Sequence, residues 1–210
     1  MSNTSRARAT AAPTAARGMN VKKAIWTALL GALGCILTML AIPIGPNISI
    51  NLYVISGILV GATCGALLGA LGGFLGALYT PVLWGWFGAL PYNAILGFGA
   101  GLATRFGLRP SVGVVLAYIV AQPIEMWMAY QFLGMPWAVQ LLGVGSTILQ
   151  AAVAVVITEA IISVPQLRKR LPRTGRMTVP AWVDRVPFLR HPWADDYRIT
   201  PVAAASAGAA

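Results

Sequence analysis

The sequence predicts an all-α integral membrane protein, a compact bundle of six transmembrane helices with both termini cytoplasmic. Two observations carry the membrane assignment. Of 210 residues, 58% are hydrophobic and only 10% charged, where a soluble domain carries about a quarter charged. The 15 Lys and Arg, which set a net charge of +10, avoid a long apolar middle and crowd at its edges. On a soluble chain that charge would point to nucleic acid. Confined to the flanks of apolar runs, it is a topology signal, and no nucleic-acid partner is expected.

Taken in order, residues 1–21 are small, polar and basic without periodicity, and read as a disordered arm. Met19, within it, offers an alternative start. The apolar run Ala24 to Ile42 is 19 residues long. That exceeds the roughly 7–15 residues of a secretory signal core and suits a retained transmembrane helix. Pro43-Ile44-Gly45-Pro46-Asn47 forces a break. Ile48 to Tyr79 then runs 32 residues without a charge, against about 20 for one span. Further apolar segments follow at Leu90–Thr104, Ser111–Tyr130 and Trp137–Val164.

The charges choose between five spans and six. Every Lys and Arg falls in the N-terminal arm and the start of the first span (Arg6 to Lys23), in the link Arg105–Arg109, or in the tail from Arg168 onward. Six spans, with a turn near Gly61–Gly65, place all three groups on the cytoplasmic side; five would divide them. The membrane domain is therefore residues 22–165 and the basic cytoplasmic tail residues 166–210. Gln166 to Arg176 holds five basic residues suited to anionic headgroups, and Trp182, Phe188 and Trp193 are placed to dip into the interface. The alternative is a solvated tail whose charges only fix topology.

Small residues mark close helix approach. Ala24, Ala28 and Ala32 repeat at four-residue spacing on the first span, with Thr27, Gly31 and Cys35 on the adjacent stripe. Gly61, Gly65, Gly69 and Gly73 form a second row beside Ala62, Ala66 and Ala70, and Gly97 and Gly101 a third. Packing within the bundle explains most of these glycines; a small-residue face on an outer helix suits a separate membrane partner. Gly97-Phe98-Gly99-Ala100-Gly101 lacks the strand–turn–helix context of a dinucleotide loop, and no GxxxxGK[ST] is present, so the chain does not itself hydrolyse ATP. Cys35 and Cys64 have no metal-ligand spacing and the only histidine, His191, lies in the tail; neither metal nor cofactor is expected.

Polar groups inside a membrane are costly unless paired or facing a cavity, so they are the strongest functional signal. Only Glu125 and Glu159 are carboxylates there. Tyr118, Gln122, Glu125 and Ala129 share one helical face, with Pro123 beside them as a possible kink. Thr147, Gln150, Ala154 and Thr158 share another. Glu125 falls in the outer third of its span and is assigned to ligand contact. Glu159, near the cytoplasmic end within reach of Arg168, is assigned to structure. The outward loops bring Tyr79, Trp84, Trp86, Phe87, Tyr92 and Asn93, then Tyr130, Gln131, Phe132 and Trp137. These aromatics are either an interfacial belt or, with amides and one carboxylate at the same depth, the walls of a pocket for a small, flat, polar or cationic ligand. The candidate substrate residues are Glu125, Gln122, Trp84, Asn93, Tyr130, Gln131, Trp137, Thr147 and Gln150.

Six short spans, a basic N-terminus, the first helix Ala24-Ile25-Trp26-Thr27-Ala28-Leu29-Leu30-Gly31-Ala32, the following Ile42-Pro43-Ile44-Gly45-Pro46 and the glycine-rich Gly57 to Gly73 resemble the substrate-binding S components of energy-coupling-factor (ECF) transporters. The resemblance spans roughly Lys22 to Pro165 and is architectural, since its motifs are mostly Ala, Gly and Leu. It implies a multi-pass plasma-membrane protein of a prokaryote that captures a vitamin or precursor from outside. It also implies delivery inward by toppling in the bilayer, with a transmembrane T subunit and two cytoplasmic ATPases as partners. Ala24, Ala28 and Ala32 match the family's AxxxA contact, and Gly31 and Ala32 extend that partner face. Many members carry an acidic residue after the glycine-rich third helix; Gly76-Ala77-Leu78-Tyr79-Thr80 has none. Glu125 with Trp84 or Trp137 suits a thiamine-like or pyrimidine ligand by charge and stacking, and riboflavin, queuosine-type bases, niacin, biotin, pantothenate and cobalamin stay open as alternatives. The competing readings are a solitary carrier or non-catalytic assembly subunit, and an intramembrane enzyme. For the last, the membrane segments supply no histidine and no close acidic pair, so no catalytic residue is assigned.

Overall fold

The apolar runs fold as helices wherever proline and β-branched alternation do not intervene. The computed structural model describes residues 21–45, 48–173 and 177–197, a mostly helical chain. The expected disordered arm, save Val21, and the distal part of the tail lie outside the described residues. Helix α1 covers Val21–Thr38, α2 Val54–Cys64, α3 Ala66–Gly76, α4 Thr80–Trp84, α5 Ala89–Arg105, α6 Pro110–Leu133, α7 Trp137–Ser163 and α8 Pro165–Arg170. Strands β1 (Ala41–Gly45) and β2 (Ile48–Asn51) separate α1 from α2.

This hairpin corrects the expectation that the first span continues to Ile42 and the next begins at Ile48. Ile42, Ile44, Ile48 and Ile50 alternate with Pro43, Gly45, Ser49 and Asn51, the period-two pattern of a strand. Pro43 also lacks the N–H a helix would need. The strands pair antiparallel, with Ile42 opposite Ile50 and Pro43 opposite Ser49. Gln150 on α7 donates from Nε2 to the Ser49 carbonyl at 2.9 Å, fixing the hairpin to the bundle.

Among the described residues four stretches are long and apolar enough to cross a membrane: Val21–Thr38, Ala66–Trp84, Pro110–Leu133 and Trp137–Ser163. At about 1.5 Å per residue α2 reaches only roughly 16 Å, half of a bilayer core. Large apolar side chains such as Leu29, Leu67, Leu116, Leu142 and Val156 cover the exterior, which water would penalise and lipid does not.

Helix α5 is packed on α2, α3 and α6, and the reason is glycine. The chain reverses at Gly65, whose φ of 105° and ψ of 173° suit a residue without a Cβ. That reversal sets Gly61 on α2 facing Gly69 on α3 rather than in one continuous row. A Cβ on Gly61 or Gly69 would strike the Gly97 carbonyl oxygen of α5, one on Gly73 the Asn93 carbonyl, and one on Gly57 the Gly73 Cα at 2.6 Å. Gly99 and Gly113 bring α5 and α6 equally close. Backbones in direct contact allow short helices to bury one another and multiply dispersion contacts that lipid cannot offer.

The basic link and the tail meet at one end of this bundle. Thr178 N donates to Arg105 O at 2.8 Å, Arg109 N to Leu189 O at 2.8 Å and His191 N to Gly107 O at 2.8 Å; Leu108 and Arg190 form an antiparallel bridge. Trp193 is fully buried with Leu30, Leu59, Val60, Ile162 and Leu171, and its indole N–H donates to Ile162 O at 3.0 Å. This corrects the expectation of an interfacial or solvated Trp193, while Trp182 and Phe188 do stay exposed. Arg173 pairs with Asp196 at 3.4 Å and Arg190 with Asp195. Glu159 binds Arg109, Oε2 to Nη1 at 3.2 Å; the side chain of Arg168, which with the interface was the expected neighbour of Glu159, lies outside the described residues.

Two outcomes follow from this packing. Gly97→Val is expected to cost at least the about 1–3 kcal/mol of an overpacked core, read as a fall in Tm in detergent. Gly145→Ala, with nothing within 4 Å of an added Cβ, serves as a neutral control. Trp193→Ala is expected to cost about 3–5 kcal/mol and to speed proteolysis of the tail, while Phe188→Ala leaves both unchanged.

Candidate ligand-binding site

At the opposite end, the connections α4–α5 and α6–α7 close over a cavity of about 330 Å³. It is lined by Trp84 and Trp86 from the first connection, by Gln122, Glu125, Met126 and Ala129 from α6, and by Gln140, Gly143, Ser146 and Thr147 from α7, with Leu133 and Met135 between them. This is the size and mixture of a small-ligand site, with apolar and aromatic walls and a few convergent polar groups.

Local geometry explains how each group arrives. Gly85 ends α4 in the left-handed region at φ 64°, turning the chain so that Trp86 faces α6. A Cβ on Gly88 would overlap the Trp86 indole, so the absence of one lets the ring lie against the backbone. The indole N–H then donates to Glu125 Oε1 at 3.1 Å. Helix α6 runs unbroken through Pro123, which presents Gln122 and Glu125 on successive turns of the inner face.

Beneath Glu125 lies a connected polar layer. Tyr118 OH and Thr147 Oγ1 are 2.7 Å apart, and Thr147 Oγ1 donates to Gln122 Oε1 at 2.9 Å. Tyr92 meets Tyr118 edge-on, with ring centroids 6.2 Å apart. Gln140 donates from Nε2 to the Met135 carbonyl at 2.8 Å, and Ser146 Oγ to the Gly143 carbonyl at 2.8 Å. Glu125 Oε2 and Gln140 Oε1 are buried without a hydrogen-bond partner. Among the described residues no cation pairs with Glu125, and no group of His, Cys, Asp and Glu could hold a metal ion.

The cavity thus gathers four of the nine residues expected from the sequence: Glu125, Gln122, Trp84 and Thr147. Asn93 is buried and bonds the Ala89 carbonyl at 2.7 Å, outside the lining. Gln150 anchors the hairpin instead. Tyr130 and Trp137 stack on each other, centroids 5.8 Å apart, and with exposed Gln131 stand outside the cavity. Trp86 is among the aromatics expected as pocket walls but not among the nine substrate residues, and Gln140 and Ser146 are outside the expectation altogether. Gln140 was visible, since it lies seven residues before Thr147 and ten before Gln150, on one helical stripe. The bond of Trp86 to Glu125 is not legible from spacing, because only the turn at Gly85 distinguishes Trp86 from Trp84.

On the outer surface of α1, Ala28 and Ala32 are exposed and Ala24 is half-buried, whereas Gly31 is buried, with an added Cβ 2.8 Å from that of Leu75 on α3. Gly31 therefore belongs to internal packing.

Trp86→Phe removes the only hydrogen bond to the Glu125 side chain among the described residues. It is expected to lower the stability of the ligand-free protein by about 1–3 kcal/mol; in the Glu125→Leu background the same change should cost measurably less, a coupling read by a double-mutant cycle. No protein-family model, curated protein or solved structure matches this chain, so the functional reading rests on the cavity and its residues.

Proposed function

We propose that this chain is the substrate-capture subunit of an ECF-type transporter. It binds a vitamin or related small molecule from outside the cell membrane of a prokaryote and delivers it inward with a T subunit and two ATPases. The observation that carries the reading is the cavity at the end remote from the basic link and tail. It holds a carboxylate with one unsatisfied oxygen, two tryptophans and two glutamines within a membrane bundle. Under the positive-inside rule the basic end is cytoplasmic, so the cavity at the remote end opens outward. A membrane protein retains such polar groups at a cost that ligand binding offsets.

The same reading gives α1 a role. Ala28 and Ala32 form a flat exposed strip, suited to close approach by a partner helix. The lining offers recognition groups and no paired acid and base, which favours binding and release of the substrate unchanged.

The test is thermal unfolding of the full chain in detergent against a panel of vitamins and their precursors. A ligand at about 1,000 times its Kd stabilises by about 4 kcal/mol. One compound should stand out and lose its effect in Glu125→Gln. Ala28→Trp should retain that binding and fail to assemble with the T subunit. Uptake by the chain alone in liposomes would instead identify a solitary carrier, and a panel with no stabilising compound would point to an assembly subunit.

A further inference from the structure

The hydrogen-bond accounting of the cavity narrows the chemistry of its ligand; this step rests on reading the cavity as a ligand site. Four donors of the inner wall are committed internally, while Gln122 Nε2 and the Trp84 indole N–H have no partner among the described residues. Trp86 Nε1 is bonded to Glu125 Oε1, Gln140 Nε2 to the Met135 carbonyl, Ser146 Oγ to the Gly143 carbonyl and Thr147 Oγ1 to Gln122 or the Val144 carbonyl. The Met135 carbonyl also fixes the Gln140 amide orientation, because only the nitrogen can face it. The two buried lining atoms left without a partner, Glu125 Oε2 and Gln140 Oε1, are both acceptors.

An occupant that restores the balance must donate hydrogen bonds, and beside an unpaired carboxylate in an apolar wall it gains most by carrying positive charge. The Trp84 and Trp86 rings add faces that attract a flat cation. We infer that the cavity selects a small planar organic cation bearing N–H donors, such as a protonated amino- or amidino-heterocycle. Anions and quaternary ammonium groups are selected against. An anion meets like charge at Glu125. A quaternary nitrogen supplies charge and leaves both acceptors unsatisfied, which is why charge and donor count can be separated experimentally.

The probes are four ring compounds of similar size: benzamidine (cationic, N–H donors), phenyltrimethylammonium (cationic, no donor), benzamide (neutral, N–H donors) and benzoate (anionic). Each is titrated by calorimetry into the full chain in detergent. Benzamidine is expected to bind at least tenfold tighter than each of the other three. Its affinity should fall at least tenfold in Glu125→Gln and about threefold or more in Gln140→Leu. Phenyltrimethylammonium should weaken in the first variant and not in the second. Equal or tighter binding of phenyltrimethylammonium, benzamide or benzoate would overturn the inference, as would a benzamidine affinity indifferent to Gln140→Leu. Absence of benzamidine binding up to 10-millimolar-order concentrations (about 10 mM, beyond the weakest specific affinities) would overturn it too. In that event a panel vitamin that still stabilises the protein through Glu125 would leave the capture reading standing, and a silent panel would remove both.

Discussion

Everything in this molecule depends on backbones that touch. Gly57 and Gly61 on α2, Gly69 and Gly73 on α3, and Gly97 on α5 remove the side chains that would hold three helices apart. In lipid there is little hydrophobic gain in pairing apolar helices, so shape decides. Short helices such as α2 are stable here because their whole length is pressed between neighbours, leaving Ile58, Val60 and Ala62 inaccessible. The same contact sets the position of α5, and with it the connection that brings Trp86 to Glu125. A methyl group in that seam would therefore disturb a cavity it never touches.

The two intramembrane carboxylates show how environment assigns different work to one side-chain type. Glu159 sits where α7 approaches the start of α6; Arg109 bonds one oxygen at 3.2 Å and the Ser111 N–H meets the other at 3.4 Å. It closes a joint, in a half-exposed setting where such a pair contributes about 0–1 kcal/mol. Glu125 has a single indole N–H and an idle second oxygen. A carboxylate left incomplete in the wall of a cavity is the place to look for a ligand.

Much of this was legible in the sequence because membrane insertion imposes coarse rules. Apolar length located the long helices α1, α6 and α7. The glycine rows announced close packing, and the rarity of intramembrane charge singled out Glu125. What escaped reading has physical causes. The hairpin Ala41–Asn51 competes with helix over a stretch apolar in either conformation, and only the alternation of isoleucine with proline and serine favours the strand. Tyr130 and Trp137 satisfy each other by stacking, which their spacing does not reveal. Trp193 has the composition of an interfacial residue, yet it is held by the Ile162 carbonyl, a partner 31 positions away.

That tail also changes how the basic end is understood. Fifteen residues would suffice to fix topology by charge, yet residues 177–197 form backbone hydrogen bonds with the α5–α6 link and place an indole against α1, α2 and α7. Within the tail, Arg173 pairs with Asp196, and Arg190 with Asp184 and Asp195. The backbone hydrogen bonds and buried indole of the tail hold the ends of α5, α6 and α7 together at one face, while at the other the α4–α5 connection meets α6 through the Trp86–Glu125 hydrogen bond. Local stability follows density of buried contacts, and the buried Trp193 with its hydrogen bond to Ile162 supplies such contacts at the basic end. Flanking the cavity, Gly85 and Gly134 terminate their helices in the left-handed region with open space where a Cβ would lie.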